Sequence, residues 1–343
     1  MQSVFIQVKG IVQGVGFRPF VYNLALKYDI KGWVNNDEKG VNILLSSSEE
    51  NIKNFINELK SNPPILARID SINIEKITEI KEYKTFEIIQ SESSKNKSTI
   101  ISPDIAICDD CIEDINDMSN FRYSYSLTNC TNCGPRYSII KTVPYDRINT
   151  SMFSFELCEK CKNEYENPTN RRYHAQPIAC ENCGPTIVLY NNKNEVLSSD
   201  ITAIKEVAQK INEGSIVAIK GMGGFHLICD ANNDKVVEKL RIRKSRLNKP
   251  FAIMFKDINS IKNYTDLTQK EEELLNSKEK PIVLVKKKKK FNLSQLLAPN
   301  INHLGCFIAY TALHHLLFRY LDNPIVATSA NLKDEPIIIS KDE

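Results

Sequence analysis

The sequence predicts an α+β multidomain chain: a βαββαβ sandwich, a duplicated four-cysteine module, then a mixed α/β domain. Three observations predict it. Strand-like alternation and helix-like periodicity take turns over the first 90 residues, eight cysteines recur at fixed spacing from Cys108 to Cys183, and short apolar runs alternate with amphipathic stretches from about Ser198. At 343 residues the chain has room for two or three separately cored domains. The expected boundaries are 1–91, 104–190 and 197–343, the last read as incomplete because the sequence stops straight after the strand-like Pro336–Ile339. Hydrophobic residues make up 42% and charged residues 25%, ordinary proportions for a globular protein. A net charge of +3 is too small to predict nucleic-acid binding, and the run Lys286–Lys290 reads as solvated surface. No apolar run approaches the ~18 residues that span a bilayer, and the first residues lack the basic and cleavage features of a signal peptide. A cytoplasmic protein without membrane contact is expected.

In the first domain Val4, Ile6 and Val8 form one face of a strand. Pro19 opens a helical stretch with Phe20, Leu24 and Tyr28 on one side. A turn at Lys31-Gly32 leads to Trp33-Val34, and Val41–Leu45 forms the next strand. Ser48-Glu49-Glu50 caps a helix whose Ile52, Phe55, Ile56 and Leu59 share a face, and Pro63-Pro64 ends it. Further strands are expected at Ser71–Ile77 and Thr85–Ile89, which fits a ferredoxin-like sandwich. Residues 91–103 are mostly polar and read as a linker.

The pairs Cys108/Cys111 and Cys130/Cys133 are separated by 18 residues, as are Cys158/Cys161 and Cys180/Cys183, and every cysteine recurs at an offset of 50. Asn-Cys-Gly-Pro repeats with them, so the module is an internal duplication. A Cys-x2-Cys turn aims two thiolates at one ion, and two such knuckles complete a tetrahedral site with no open position. Two structural zinc ions are expected, with the pairing of knuckles left open by the spacing. The acidic first half, including Asp104, Asp109, Asp110, Glu113 and Asp114, argues for a scaffold over a nucleic-acid binder. Arg171, Arg172 and His174 lie between the last two knuckles, either as contacts to an anionic intermediate or as a surface loop with a packed histidine.

Gln13-Gly14-Val15-Gly16-Phe17-Arg18 joins the first strand to the first helix. Its glycines let backbone N–H groups converge, and the helix N-terminus adds positive potential, so the loop is a candidate phosphate cradle with Arg18 as its cation. This stretch, with Gly32-Trp33-Val34-Asn35-Asn36 following, resembles the acylphosphatase signature. The resemblance implies that Arg18 binds the acyl phosphate and that Asn36 orients the attacking water.

In the last domain helices are expected at Ile204–Ile211, Val236–Leu240 and Leu313–Leu317, and apolar strands at Ile216–Ile219, Phe251–Phe255 and Pro281–Val285. Lys220 opens a glycine-rich strand exit, Arg241, Arg243, Lys244, Arg246 and Lys249 form a dense basic stretch, and Thr328, Ser329 and Asn331 supply small polar groups. These residues resemble the YrdC family of ATP-dependent adenylate-forming enzymes, which implies a nucleotide site for ATP with Mg. His226 reads equally as a core residue or a ligand contact, and the adjacent His314 and His315 as non-ligands, since neighbouring helical positions diverge by ~100°. Cys229 and Cys306 read as core.

The three parts in this order resemble the HypF family of hydrogenase-maturation carbamoyltransferases. That implies hydrolysis of carbamoyl phosphate, ATP-dependent carbamoyl adenylate formation, and transfer to the partner HypE for the cyanide ligand of the [NiFe] site. The family's further transferase domain is expected to lie outside these 343 residues, and alanine stands at 309 and 312 where the family usually has proline. Competing classes are a zinc-ribbon RNA-binding protein of the threonylcarbamoyl-adenylate type, acting in tRNA modification, and a non-catalytic fragment.

Overall fold

The computed structural model describes residues 2–64, 66–77, 83–90, 101–289, 291–332 and 334–342. Most of the expected 91–103 linker and Lys290 lie outside the described residues. The chain forms two compact units, Met1–Ile105 with Asn129–Pro185, and Ala106–Thr128 with Thr186–Glu343.

In the first unit the elements are β1 (Gln2–Ile11), α1 (Phe17–Lys27), β2 (Lys31–Asn36), β3 (Val41–Ser47), α2 (Glu49–Ser61), β4 (Arg68–Ile77) and β5 (Phe86–Ile88). The strands make one sheet in the order β4-β1-β3-β2-β5. β1 runs antiparallel to both β3 and β4, whereas the short β5 is parallel to β2. The alternation of β1 buries Val4, Ile6 and Val8, which meet Ile43 and Leu45 of β3 in one core. The helices close it with Phe17, Val21 and Leu24 from α1 and Ile52, Phe55 and Leu59 from α2. Ser48 caps α2 as expected, its hydroxyl accepting from the Asn51 N–H at 3.2 Å. α1 starts two residues earlier than Pro19 suggests, because Gly16 is in the left-handed region (φ 72°) and ends the loop there. Proline is tolerated in the first turn, where no intrahelical N–H donor is needed.

Two further helices, α3 (Asp109–Asn116) and α4 (Glu159–Glu166), occupy equivalent places in the duplicated module, and each is preceded by the first cysteine of its half.

The second unit holds the β6 (Val188–Tyr190) and β7 (Val196–Ser199) hairpin, α5 (Asp200–Asn212), β8 (Val217–Gly221), β9 (Gly224–Asp230), α6 (Asp234–Arg243), β10 (Ala252–Phe255), α7 (Ile258–Lys262), β11 (Thr265–Asp266), α8 (Gln269–Asn276), β12 (Val283–Lys287), β13 (His303–Ile308), α9 (Ala312–Leu317) and β14 (Ile325–Ser329). A seven-stranded mixed sheet runs β11-β12-β13-β10-β14-β9-β8. Arg319 ties residues 106–128 to this unit, donating to Asn116 Oδ1 at 2.7 Å and Ser124 Oγ at 2.9 Å. Cys229 and Cys306 are buried in strands, as core residues should be.

Two expectations change. The glycines after Lys220 form a tight β8–β9 hairpin, with Gly221 opposite Gly224, instead of an open strand exit. Gly224 has φ 156° and lies where a Cβ would come within 2.9 Å of Ile337, so it is glycine for close packing. Pro336–Ile339 is not a strand, although Ile338 accepts from the Phe225 N–H at 2.8 Å and donates to Ala330 at 2.9 Å.

Phe55 is fully buried, so Phe55→Ala should cost about 3–5 kcal/mol. Trp33, the only tryptophan, lies in the same unit's sheet and reports its unfolding in denaturant by fluorescence. His314 is buried with neither ring nitrogen partnered among the described residues, and burial pushes its pKa down to about 3. The unfolded chain therefore takes up this proton first, and stability drains as the pH falls from about 6.5 towards 3. Denaturant midpoints at pH 7 and pH 5 should differ less in His314→Leu than in wild type.

Candidate functional site

The loop after β1 takes its shape from Gly14 and Gly16, both with φ 72°. This reversal carries the chain into α1 and presents Arg18 from its first turn. Arg18 is buried and meets Asn36 at the end of β2. With the Asn36 amide turned oxygen-first, that oxygen accepts from Arg18 Nε at 3.1 Å and Nη2 at 3.3 Å. Gln13 faces the other way: its amide donates to the Asp37 and Gly40 carbonyls at 2.7 and 2.8 Å and accepts from the Tyr145 N–H at 2.9 Å. Val15 points into the core, and Phe17 packs there too while also lining the cleft. The sequence thus brings Gln13, Gly14, Gly16, Arg18 and Asn36 together in one cleft.

The opposite wall comes from residues 130–177, which the loop motif alone does not reveal. Asp146 pairs with Arg18 Nη2 at 2.7 Å, and the Tyr145 carbonyl accepts from the same nitrogen at 3.3 Å. Burial pushes the Tyr145 phenol up to about 12. Arg136 is almost fully buried and donates to the carbonyls of Gly14, Cys133 (2.7 Å), Pro135 (3.1 Å), Cys130 (3.2 Å) and Thr131 (2.8 Å). One signal could have flagged it: the repeat has Arg136 after Gly134-Pro135 but Thr186 after Gly184-Pro185. Asp146 lies in no motif.

Of the three residues proposed between the last knuckles, only His174 lines the cleft. Its ring sits against Tyr173 (centroids 4.6 Å apart) and Tyr165 (5.0 Å). Burial, and secondarily the Arg18 charge, hold its pKa down at about 4, so it is neutral at pH 7. Arg172 is buried against Glu164 (3.5 Å) and the Asn129 carbonyl (2.9 Å), a structural placement. Arg171 presents its carbonyl to the Thr131 hydroxyl at 2.8 Å.

The cysteines form two groups of four, Cys108/Cys111/Cys130/Cys133 and Cys158/Cys161/Cys180/Cys183, so knuckles pair in sequence order. Within each group all sulfurs lie within 4.8 Å of one another. The Cys130–Cys133, Cys158–Cys180 and Cys180–Cys183 sulfurs are 3.7, 3.6 and 3.7 Å apart. A tetrahedron of thiolates at ~2.3 Å from zinc has edges of about 3.8 Å, so the donors fit that ion. Each site is closed by four protein ligands, which makes it a structural metal site.

In the second unit the nucleotide candidates divide. Lys244 Nζ donates to the Ser329 and Asn331 carbonyls at 2.6 and 3.0 Å, and Arg246 Nη1 to the Thr328 hydroxyl at 3.2 Å, so these five residues meet at the end of β14. Arg241 is spent elsewhere. Its guanidinium is buried on the carbonyls of Leu296, Leu297, Arg246, Leu247 and Lys249, where it shapes the loop. Lys249 offers that loop its carbonyl, while the Arg243 and Lys220 side chains are exposed. His226 is half-buried with its Nδ1 beside Gly221, and burial lowers its pKa.

Three family models match: Acylphosphatase over residues 4–88, HypF finger over 107–140 and 157–190, and Telomere recombination, the Sua5/YciO/YrdC family, over 209–343. The Carbamoyltransferase HypF of Synechocystis sp. is 46% identical over 99% of the chain, and the probable carbamoyltransferase HypF of Methanocaldococcus jannaschii 47% identical over 99%. The chain belongs to the HypF family. It spans 44% of the length of each of these two relatives. A solved full-length HypF in the phosphate- and nucleotide-bound form superposes with a TM-score of 0.92 at 45% identity, covering all of this chain and 44% of that one. The T. kodakarensis HypF gives 0.91 at 43% identity, with the same coverage of both chains. These relatives favour the carbamoyl reading over the tRNA-modification alternative. Among the described residues no helix is long and apolar enough to cross a membrane.

Purified chain should carry two equivalents of metal by elemental analysis. Cys161→Ser should reduce this to one, because Cys161 belongs to the second group alone.

Proposed function

We propose that this HypF-family chain hydrolyses carbamoyl phosphate at the Gly14–Gly16 loop and uses the carbamate in ATP-dependent carbamoyl adenylate formation. The meeting of Arg18 and Asn36 over a loop of two left-handed glycines carries the first step. Arg18 holds the phosphoryl oxygens, the loop N–H groups stabilise charge on the transferring group, and Asn36 orients the water. Water attack gives carbamate and inorganic phosphate, with neither a metal nor a covalent enzyme intermediate required.

The second step belongs to the cluster of Lys244, Arg246, Thr328, Ser329 and Asn331, which suits the phosphates of ATP with Mg. Carbamate and ATP give carbamoyl adenylate and pyrophosphate. HypE is the proposed acceptor, through the remaining part of the full-length relatives. Support comes from the carbamoyltransferase names of the relatives and from the solved HypF that holds phosphate and nucleotide. The functional segments are 1–91 for acyl phosphate hydrolysis, 104–190 for two zinc ions and 197–343 for the nucleotide. A cytoplasmic setting suits eight thiols committed to metal, because the reducing pool there opposes disulfides.

Zinc would supply closed tetrahedral coordination that fixes the knuckles, and the contacts proposed for acyl phosphate hydrolysis belong to the protein's own side chains and loop N–H groups. Hydrolysis of carbamoyl phosphate, followed by phosphate release, should fall by about 10²-fold or more in Arg18→Ala. Activity surviving in that variant would sink the assignment.

A further inference from the structure

The acylphosphatase model matches residues 4–88 only, and the acylphosphatase of Listeria monocytogenes serotype 4b aligns over 95% of its own length with just 88 residues of this chain. A free-standing protein of that size has no counterpart of residues 130–177. Here those residues form one wall of the cleft that holds Arg18 and Asn36. The added wall is therefore where a specificity beyond acyl phosphates in general would be built.

His174 is the residue on that wall best placed for the task. It is half-buried and lines the cleft, and among the described residues its ring makes aromatic contacts but no hydrogen bond. Tyr165 and Tyr173 fix the ring plane, and the Tyr165 hydroxyl donates to Gln176 at 3.0 Å, whose amide donates to the His174 carbonyl at 2.9 Å. The duplication supplies an internal control. Ser124, the equivalent position in the first half, shares the left-handed backbone of His174, with φ 58° against 51°. The backbone strain is thus a property of the repeat, whereas the imidazole is particular to the copy beside Arg18.

We propose that His174 is a specificity-determining residue that recognises the amide end of a carbamoyl phosphate by hydrogen bonding and so selects it over acetyl phosphate. An acyl phosphate has two distinct ends. The dianionic end is served by Arg18 and the loop N–H groups, where charge decides. A neutral imidazole adds nothing to anion attraction, but it offers one donor and one acceptor to a planar –C(O)NH2 group. A methyl group in the same place cannot use either, and the site then holds polar atoms without a partner. The proposal rests on acyl phosphate hydrolysis at Arg18.

The test compares phosphate release from carbamoyl phosphate and from acetyl phosphate by the full chain, as wild type, His174→Phe and His174→Asn. Phenylalanine keeps the aromatic packing without the hydrogen bond, and asparagine keeps a donor and an acceptor. The expected result is that His174→Phe lowers kcat/KM for carbamoyl phosphate roughly tenfold, the worth of one hydrogen bond. Acetyl phosphate should change less than about twofold, and His174→Asn should recover part of the loss. Equal loss on both substrates, or no loss on either, overturns the inference while Arg18-dependent hydrolysis stands. No Arg18-dependent hydrolysis in wild type overturns the proposed function and this inference together.

Discussion

One buried guanidinium, that of Arg136, sets the geometry on which the candidate site depends. It reaches the Gly14 carbonyl in the glycine loop and four carbonyls of the Cys130–Pro135 knuckle. A charge this deeply buried is tolerable only when its donors are satisfied, and here carbonyl dipoles satisfy it. Since each carbonyl has one place from which to reach the planar fork, the loop and the knuckle are fixed against each other within the unit. The knuckle can act as an anchor because its cysteine sulfurs are gathered around one point.

That anchor substitutes for hydrophobic packing. The second knuckle group sits in a small buried cluster where Ala175 and Ile178 join its own Cys161 and Cys180, too little apolar surface to order such a length of irregular chain. Metal–thiolate bonds, worth roughly 10 kcal/mol or more per site, can make up the difference. With the module held, Gln13 adds a second tie, from the Asp37–Gly40 turn to Tyr145, and Asp146 is delivered to Arg18. The Arg18–Asp146 pair is buried on one side and partly open on the other. It lets an arginine wait in a low-dielectric cleft without the full cost of an uncompensated charge.

Short-range signals in the sequence were enough for the sandwich, since strand alternation in Val4–Val8 and the Ser48 cap act within a few residues. The Cys-x2-Cys knuckles were legible for the same reason, because each is a local turn; which knuckles share an ion was not, and the structure supplies that grouping. Arg18 and Asn36 could be named from their motif. What pairs across more than a hundred residues was not legible: nothing near Asp146 announces that it faces Arg18, and nothing near Arg136 announces Gly14. The basic stretch shows the complementary limit. Its charge density marks a candidate ligand site, yet Arg241 and Lys244, three residues apart, end in different places: Arg241 is buried on carbonyls of residues 246–249 and 296–297, whereas Lys244 reaches the Ser329 and Asn331 carbonyls at the end of β14. Charge in a sequence does not say which cations the fold itself consumes.

The two halves of the module keep the same framework: a cysteine before each short helix, an asparagine (Asn120 or Asn170) accepting from the arginine N–H two residues on, and a left-handed residue after the next tyrosine. Such redundancy changes what mutation can explore. A copy whose framework is secured by its own metal can change a side chain at the left-handed position without redesigning the backbone. Duplication thus gave the chain two versions of one scaffold, and a division of labour between them needed no new fold.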